Sequence, residues 1–527
     1  MVPRLLTFLA AVGLLAYCAG LVFYGGAFPG PGHVADRDAV LLFVAATVGA
    51  GVLHLLACAA CHRRPPRLWS ILVVGFAARL ILLFGAPGPI LEGDPNRIRF
   101  DARLVNQGMH PFEFQPSLLM DEDPRDVLLT GPQLERLVRA RAALTSSTDV
   151  PRPDSLRRPD LRTHATPLSL WIGSIADRFK PGSTRGFAFL ALVADTLTIF
   201  LLILALRAAG RPIGWLMAYA WCPVLLKEFY CTLAPEAFLM PALAGLLWCI
   251  ATNRRMLAAV PLAICGGLRP ALLLLVPFFG RRIGLLGIML AAALFLIPFL
   301  PFQHSQVPAE AYVEGHLHIW RHYEYNSLAD NLLRTALGPL DWQAENTLTV
   351  AGVTVIQPGE PLSGLLARIL GLAVILGLVT YLVIRLGAGM QAAWKDAEGG
   401  FTDLFTVLAA LLLFSPVVHP WLVLWLLPVL AVRPAGIAWL ALPVLVSLSY
   451  LTHLEGPDAA DLTLLGATWS FRIIEYGIFG ILLVLDLMMG GRHLRPPEEP
   501  LARRLGTEED MPFELAPFED HEPAPVL

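Results

Sequence analysis

The run Glu92-Gly93-Asp94-Pro95-Asn96-Arg97-Ile98-Arg99-Phe100-Asp101 places two carboxylates, Asp94 and Asp101, directly after a long apolar stretch. A carboxylate at the edge of a bilayer, partly stripped of water, can serve as general base on a hydroxyl or can orient a cation. The same spacing also suits structural work, with Asp94 capping a helix and Asp101 pairing with Arg97 or Arg103. Farther along, Arg269 interrupts an apolar segment beside Gly266-Gly267 and Pro270. An ionised side chain there costs at least about 2.5 kcal/mol and persists where an anion meets it, or where the chain snorkels from a helix end. His419 lies between Pro416 and Pro420, where a helix cannot continue and an imidazole can point into an external cavity.

These residues need a scaffold, and composition says which kind. In 527 residues, 56% are hydrophobic and 15% charged, a balance far from that of soluble domains. Lipid is the expected solvent. Stretches 5–23, 68–84, 187–206, 283–302 and 362–384 approach the roughly 20 apolar residues that cross a hydrocarbon core. The first could be mistaken for a signal peptide, but more spans follow at once and it reads as a retained anchor.

Arginine and lysine in short loops set orientation, because cationic side chains resist translocation. Arg4, Arg63-Arg64, Arg207, Arg254-Arg255, Arg281-Arg282, Arg385 and the tail from Arg492 then fall in the cytoplasm. Both termini lie inside. The expected fold is an all-α polytopic bundle of about twelve spans, plus a broken or re-entrant helical pair over 256–279 whose two ends are both positive. The organisation is N-terminal helices over 1–86, a large external loop over 87–185, a core over 186–302, a second external loop over 303–361, C-terminal helices over 362–491 and a disordered tail over 492–527. Within the large loop, 132–144 has a helical apolar stripe suited to the membrane surface, and Thr166-Pro167 starts a second interfacial helix.

Some function classes drop out. A net charge of -3 with scattered basic residues argues against nucleic acid. All seven cysteines fall in or beside apolar segments, so no disulfide framework is read, and Cys58-x-x-Cys61 reads as small buried residues at a helix end. Walker, Rossmann and zinc motifs are missing, so a nucleotide has no recognisable seat. A divalent cation on Asp94 and Asp101 stays open, with no third ligand in view; no other cofactor is expected.

The motifs, taken in order, resemble those of integral-membrane GT-C glycosyltransferases, above all the bacterial mannosyltransferase-like branch that uses polyprenyl-phosphate sugars. Asp94 and Asp101 fall on its acidic positions. Gly108-Met109-His110-Pro111-Phe112-Glu113-Phe114-Gln115-Pro116 follows its Gly-x-Asn-Pro-Tyr-x-Tyr-x-Pro, with His110 for Asn. Ala165-Thr166-Pro167-Leu168 stands for Tyr-Pro-Pro-Leu, and Glu228 and Glu236 keep the spacing of its Glu-x7-Asp. Arg269-Pro270 corresponds to a Lys-x-x-Pro-like element, Tyr323-Glu324-Tyr325-Asn326 to Trp-x-Phe-Asn, and Ser415-Pro416-Val417-Val418-His419-Pro420-Trp421 to Ser-Pro-x-x-His-Pro-Trp.

The resemblance implies a bacterial plasma-membrane enzyme that moves a hexose, mannose being favoured, from a polyprenyl phosphate to a hydroxyl of a glycan, lipid or protein acceptor. Transfer occurs on the external face with inversion. Asp94 is then the general base and Asp101 its orienting partner. Arg269 faces the lipid phosphate, His419 binds phosphate or sugar, and Glu228, Glu236, Tyr325, Asn326 and His110 are substrate contacts. The competing class is a transporter or lipid-linked sugar flippase, in which Arg269 and the acids line a pathway.

Overall fold

The computed structural model describes residues 2–28, 36–61, 65–88, 90–91, 95–120, 131–145, 156, 159–303, 307, 311–340, 343, 347–350, 353–356, 362–387, 397–455 and 467–489. Asp94 and the tail from 492 lie outside the described residues. Among the described residues, seven helical stretches are long and apolar enough to cross a membrane: Val2–Ala27, Arg37–Cys61, Leu68–Gly85, Arg185–Ala208, Arg282–Phe302, Leu362–Arg385 and Ile437–Leu454. Their packing is that of a protein in lipid. Large apolar side chains such as Phe8, Trp69, Phe84, Phe200, Leu285 and Ile384 are exposed, while Leu202, Leu243, Leu404 and Leu427 are sealed inside. A soluble fold would leave no such outward apolar face. The chain is a helical membrane protein.

In chain order the helices are α1 (Val2–Tyr24), α2 (Arg37–Cys61), α3 (Leu68–Gly85), α4 (Pro95–Asn106), α5 (Pro116–Met120), α6 (Gly131–Thr145), α7 (Pro167–Phe179) and α8 (Arg185–Ala208). They continue with α9 (Met217–Ala220), α10 (Pro223–Tyr230), α11 (Glu236–Ala251), α12 (Ala259–Leu268), α13 (Leu275–Leu296), α14 (Ala311–His322), α15 (Ala329–Leu337) and α16 (Leu362–Gly387). The last are α17 (Ala397–Leu413), α18 (Pro420–Val423), α19 (Leu427–Val432), α20 (Ile437–Val446) and α21 (Ala467–Met488). One small antiparallel hairpin, β1 (Leu348–Val350) with β2 (Val353–Ile356), sits between α15 and α16.

The shorter apolar helices are cut by proline. Pro223 and Pro420 occupy first-turn positions, and Pro241 and Pro443 lie inside helices. Pro241 and Pro443 each remove a ladder hydrogen bond, whereas Pro223 and Pro420 stand where a first-turn N–H would have no helical partner; the apolar helices Glu236–Ala251 and Pro420–Val432 are accordingly short.

Between α11 and α13 the chain makes a hairpin. Helix α12 stops at Arg269, whose backbone is extended (φ -136, ψ 101), and a 3₁₀ turn at Pro270–Leu274 reverses it into α13. The second leg returns to the end from which the first started. There Arg282 pairs with Asp403 at 3.2 Å, Asp403 also binds Arg385, and a Cβ at Gly400 would touch both Ile250 and Arg282. Gly284 then takes φ 75, a value suited to glycine, and redirects the rest of α13 outward. The bundle thus has a far end, holding Ile250, Arg282 and Asp403, and a loop end, holding the tip of the hairpin and the long loops.

Helices α4, α5 and α6 form a small core of their own on the loop end, around Phe100, Leu104, Phe114, Leu119, Leu137 and Leu144. This modifies the expectation for 132–144. Its stripe divides, with Leu137 and Leu144 packed inward while Leu134 and Val138 stay exposed. Helix α7 begins as its sequence indicates: Thr166 accepts from the Ser169 amide at 3.3 Å and Pro167 fills the first turn. Its Ile175 and Phe179 are exposed, and Phe179 lies 6.2 Å from the lipid-facing Phe189 of α8. That places α7 at the level where the spans end.

Candidate functional site

The described residues bring several of the expected site residues to the loop end. Arg269, at the hairpin tip, forms an ion pair with Glu236, the first residue of α11. A carboxylate there is favoured by the helix dipole, and a bend holds it in place. The bend closes α10 through Ala234 N–H to Glu228 O at 2.9 Å and puts Leu233 in the left-handed region, φ 58. A leucine in that conformation is strained, and buried packing holds it there. Glu236 is fully buried, and among the described residues its Oε2 has no hydrogen-bond partner. Arg269 keeps 29% of its side chain accessible.

Asp101 lies one layer away on α4. It accepts from Arg97 Nε at 3.2 Å and from Thr163 Oγ1 at 2.6 Å, and Arg97 also donates to Leu161 O at 2.9 Å. Burial raises the Asp101 carboxyl above the ordinary carboxylate value, against the opposing pull of Arg97 and Thr163. The structural alternative read from spacing, an Asp101–Arg97 pair at i,i+4, is thus present. It fixes the 161–166 segment over α4.

That segment joins Asp101 to Arg269. Leu168 packs under Gly267, where a Cβ would lie 3.1 Å from Leu168 Cδ2, just below the hairpin tip. On the other side α14 closes against it through Gly315, where the approach is so tight that a Cβ would lie 2.7 Å from Thr163 O. His164 and His316, each one residue beyond that contact, lie within electrostatic reach of one another and of Arg269. His164 is exposed, yet loss of water pushes its imidazole down to about 3, with Arg97, His316 and Arg269 adding to the effect. His316 falls to about 4, first from burial and then from Arg269.

A second group forms where the 323–326 segment meets the turn before α18. Tyr325 exchanges backbone hydrogen bonds with Pro416 and Val418, at 3.1 and 2.7 Å. Its ring stacks on His419 at 4.2 Å, which stacks on Trp421 at 4.1 Å. Tyr325 donates its hydroxyl to Ser449 O at 3.3 Å. Asn326 takes φ 52, donates to Glu475 at 2.9 Å and accepts from Tyr476 through its carbonyl at 2.7 Å. Helix α14 connects the groups, carrying His316 in one and leading into Tyr325 in the other.

Two expected contacts are engaged elsewhere. His110 shares Phe302 O at 2.6 Å with Tyr312, inside an aromatic cluster that includes Phe112. Glu228 is buried on α10 with Tyr450 and Lys227, the latter 3.1 Å from its carboxylate and 4.0 Å above the Tyr450 ring. Sequence reasoning missed Thr163 and His164, which merely precede the Thr166-Pro167 helix start, and His316, which lies within α14 and carries no motif signal. It also missed the pair of Arg79 and Asp195, wholly buried at 2.6 Å in the spans. Among the described residues no group of three or more His, Cys, Asp or Glu is set to hold a metal.

The fold therefore defines a helical membrane protein with charged and aromatic groups gathered at one end. No family model, curated protein or solved structure matches the chain.

Proposed function

We propose that the chain is an integral-membrane hexosyltransferase of GT-C type, using a polyprenyl-phosphate hexose, mannose favoured, and an acceptor hydroxyl on a glycan, lipid or protein. In this reading the loop end is external, both termini are cytoplasmic, and the broken helices complete about twelve crossings around the hairpin. The observation that carries it is Arg269, a cation at the tip of an apolar hairpin, paired with buried Glu236 beside the Asp101–Thr163 contact. Four segments far apart in sequence supply these groups, and a bilayer-level cation is worth its desolvation where an anion arrives.

In the reaction the acceptor O–H loses its proton to a carboxylate as oxygen attacks the anomeric carbon from the face opposite the phosphate. The anomeric C–O bond breaks and its electron pair leaves with the lipid phosphate. Asp94 is the proposed base. Asp101 holds the α4 end of the site through Arg97 and Thr163. Arg269 offsets the charge growing on the phosphate, an interaction strengthened where water is excluded. The Oε2 of Glu236 suits a sugar hydroxyl, since a buried carboxylate oxygen lacking a donor favours one. The aromatic stack of Tyr325, His419 and Trp421 offers a flat face for a second sugar or the acceptor.

The test uses purified protein, labelled polyprenyl-phosphate hexoses and an acceptor extract. Wild type transfers label, while Asp94→Asn and Arg269→Ala lose transfer. Equal transfer by Asp94→Asn removes that residue as base. Lipid flipping in liposomes without transfer to any acceptor assigns the chain to the transporter class instead.

A further inference from the structure

Resting on that reading of the hairpin tip, we propose that His164 and His316 form with Arg269 an anion seat for a phosphate ester, and that this seat takes up a proton when it fills. Three close approaches bring the groups together: Thr163 on Asp101, Leu168 under Gly267, and Gly315 against Thr163. Among the described residues neither imidazole makes a hydrogen bond within the protein, although each carries a donor and an acceptor. His164 is open to solvent. Two rings with unclaimed donors beside a partly accessible guanidinium match an incoming phosphoryl oxygen set.

The charge balance supplies the proton. Around the rings stand Arg97 and Asp101 of α4, Arg162, Glu236 and Arg269, and Glu314 on α14. Arg97 pairs with Asp101, Arg162 with Glu314, and Arg269 with Glu236, so the formal charges cancel. An empty seat thus has little net attraction for an anion, and the arginines and desolvation keep both rings neutral. A phosphate between them reverses the local field. Protonating an imidazole then gives the anion a charge-assisted partner that the paired arginines cannot supply alone. Binding is coupled to proton uptake and weakens as pH rises.

The experiment measures binding of farnesyl phosphate and, separately, of inorganic phosphate to the full chain in nanodiscs by calorimetry, in two buffers of different ionisation enthalpy. Wild type binds farnesyl phosphate with a buffer-dependent enthalpy that reports protons taken up. A His164→Asn/His316→Asn variant, checked for wild-type thermal stability, binds about tenfold more weakly, as expected for losing a hydrogen bond to a charged group, with no buffer dependence. If the double variant fails that check, His164→Asn alone, at an exposed position, carries the comparison. Comparable affinity for inorganic phosphate marks a soluble phosphate as the source; binding of farnesyl phosphate alone marks a lipid. Unchanged affinity and buffer dependence in the variant overturn the proposal, as does wild-type protein that binds neither probe. Wild type that transfers sugar alongside such an unchanged variant keeps the transferase and removes the seat. Histidine-dependent binding without transfer does the reverse.

Discussion

Replacing Asp195 should be the most damaging single change in the spans. Arg79 is completely buried and donates to Asp195 at 2.6 and 3.2 Å, to Gly75 O at 2.9 Å and to Ala220 O at 2.8 Å. Tyr219 and Tyr230 direct their hydroxyls at the same carboxylate, at 2.9 and 3.2 Å. Asp195→Ala leaves the guanidinium with two carbonyls and no counter-charge, and orphans both hydroxyls. Removing one partner of a buried ion pair costs about 3–5 kcal/mol, and each stranded hydroxyl adds about 1–3 kcal/mol. The loss therefore reaches at least about 5 kcal/mol before relaxation, comparable with the entire stability of many proteins. Taking the cation away as well, in Arg79→Met/Asp195→Leu with both tyrosines changed to phenylalanine, removes the unpaired charge and both stranded hydroxyls, leaves only Ala220 O short of its donor, and recovers most of that loss. Size-exclusion profiles after a heating series measure the order: wild type and quadruple variant high, Asp195→Ala far below. An Asp195→Ala protein that melts with wild type, or a quadruple variant below the single one, refutes the argument.

Other outcomes follow from the loop end. Arg269→Ala lowers transfer about 100-fold, the scale of losing one preorganised charge partner, while Arg269→Lys retains part of it in the same assay. Gly315→Ala drives a Cβ to within 2.7 Å of Thr163 O, so it lowers melting by about 1–3 kcal/mol equivalent through forced shifts and lowers activity with it. Thr166→Ala removes the cap of α7 and costs about 1 kcal/mol, read as faster proteolysis of the large loop. The two imidazoles make the loop end acid-sensitive. Their values are lowered to about 3 and 4, so the stability they contribute is full above their ordinary value and is lost as pH falls through the folded values. Asp101, raised, contributes in the opposite sense and loses its share as pH rises through its folded value. Melting against pH should therefore fall below about 6.5 in wild type and flatten in His164→Asn/His316→Asn.

What sequence could carry was whatever is local. Thr166-Pro167 announces the start of α7 because cap and first turn are neighbours, and Asp101 pairs with Arg97 because four residues make one helical turn. The membrane class is equally legible, since apolar length is a property of each segment alone. The partner of Arg269 was not, for Glu236 and Arg269 are separated by α11, a turn and α12. His164 and His316 carry no periodic or motif signal, and only Gly315 pressing on Thr163 makes them neighbours. The divided stripe of α6 shows the same limit: Leu134 and Leu137 look alike in sequence, and a packed α4 decides which is covered.

Both legs of the hairpin are rooted at the far end, so the height of its tip is set from below. Ten residues of α12 correspond to about 15 Å of rise, and the clamp of Asp403 on Arg282 and Arg385 fixes the base from which the return leg is measured. Asp403 thus acts like the footing of a mast: it anchors the base from which the height of a guanidinium it never touches is set.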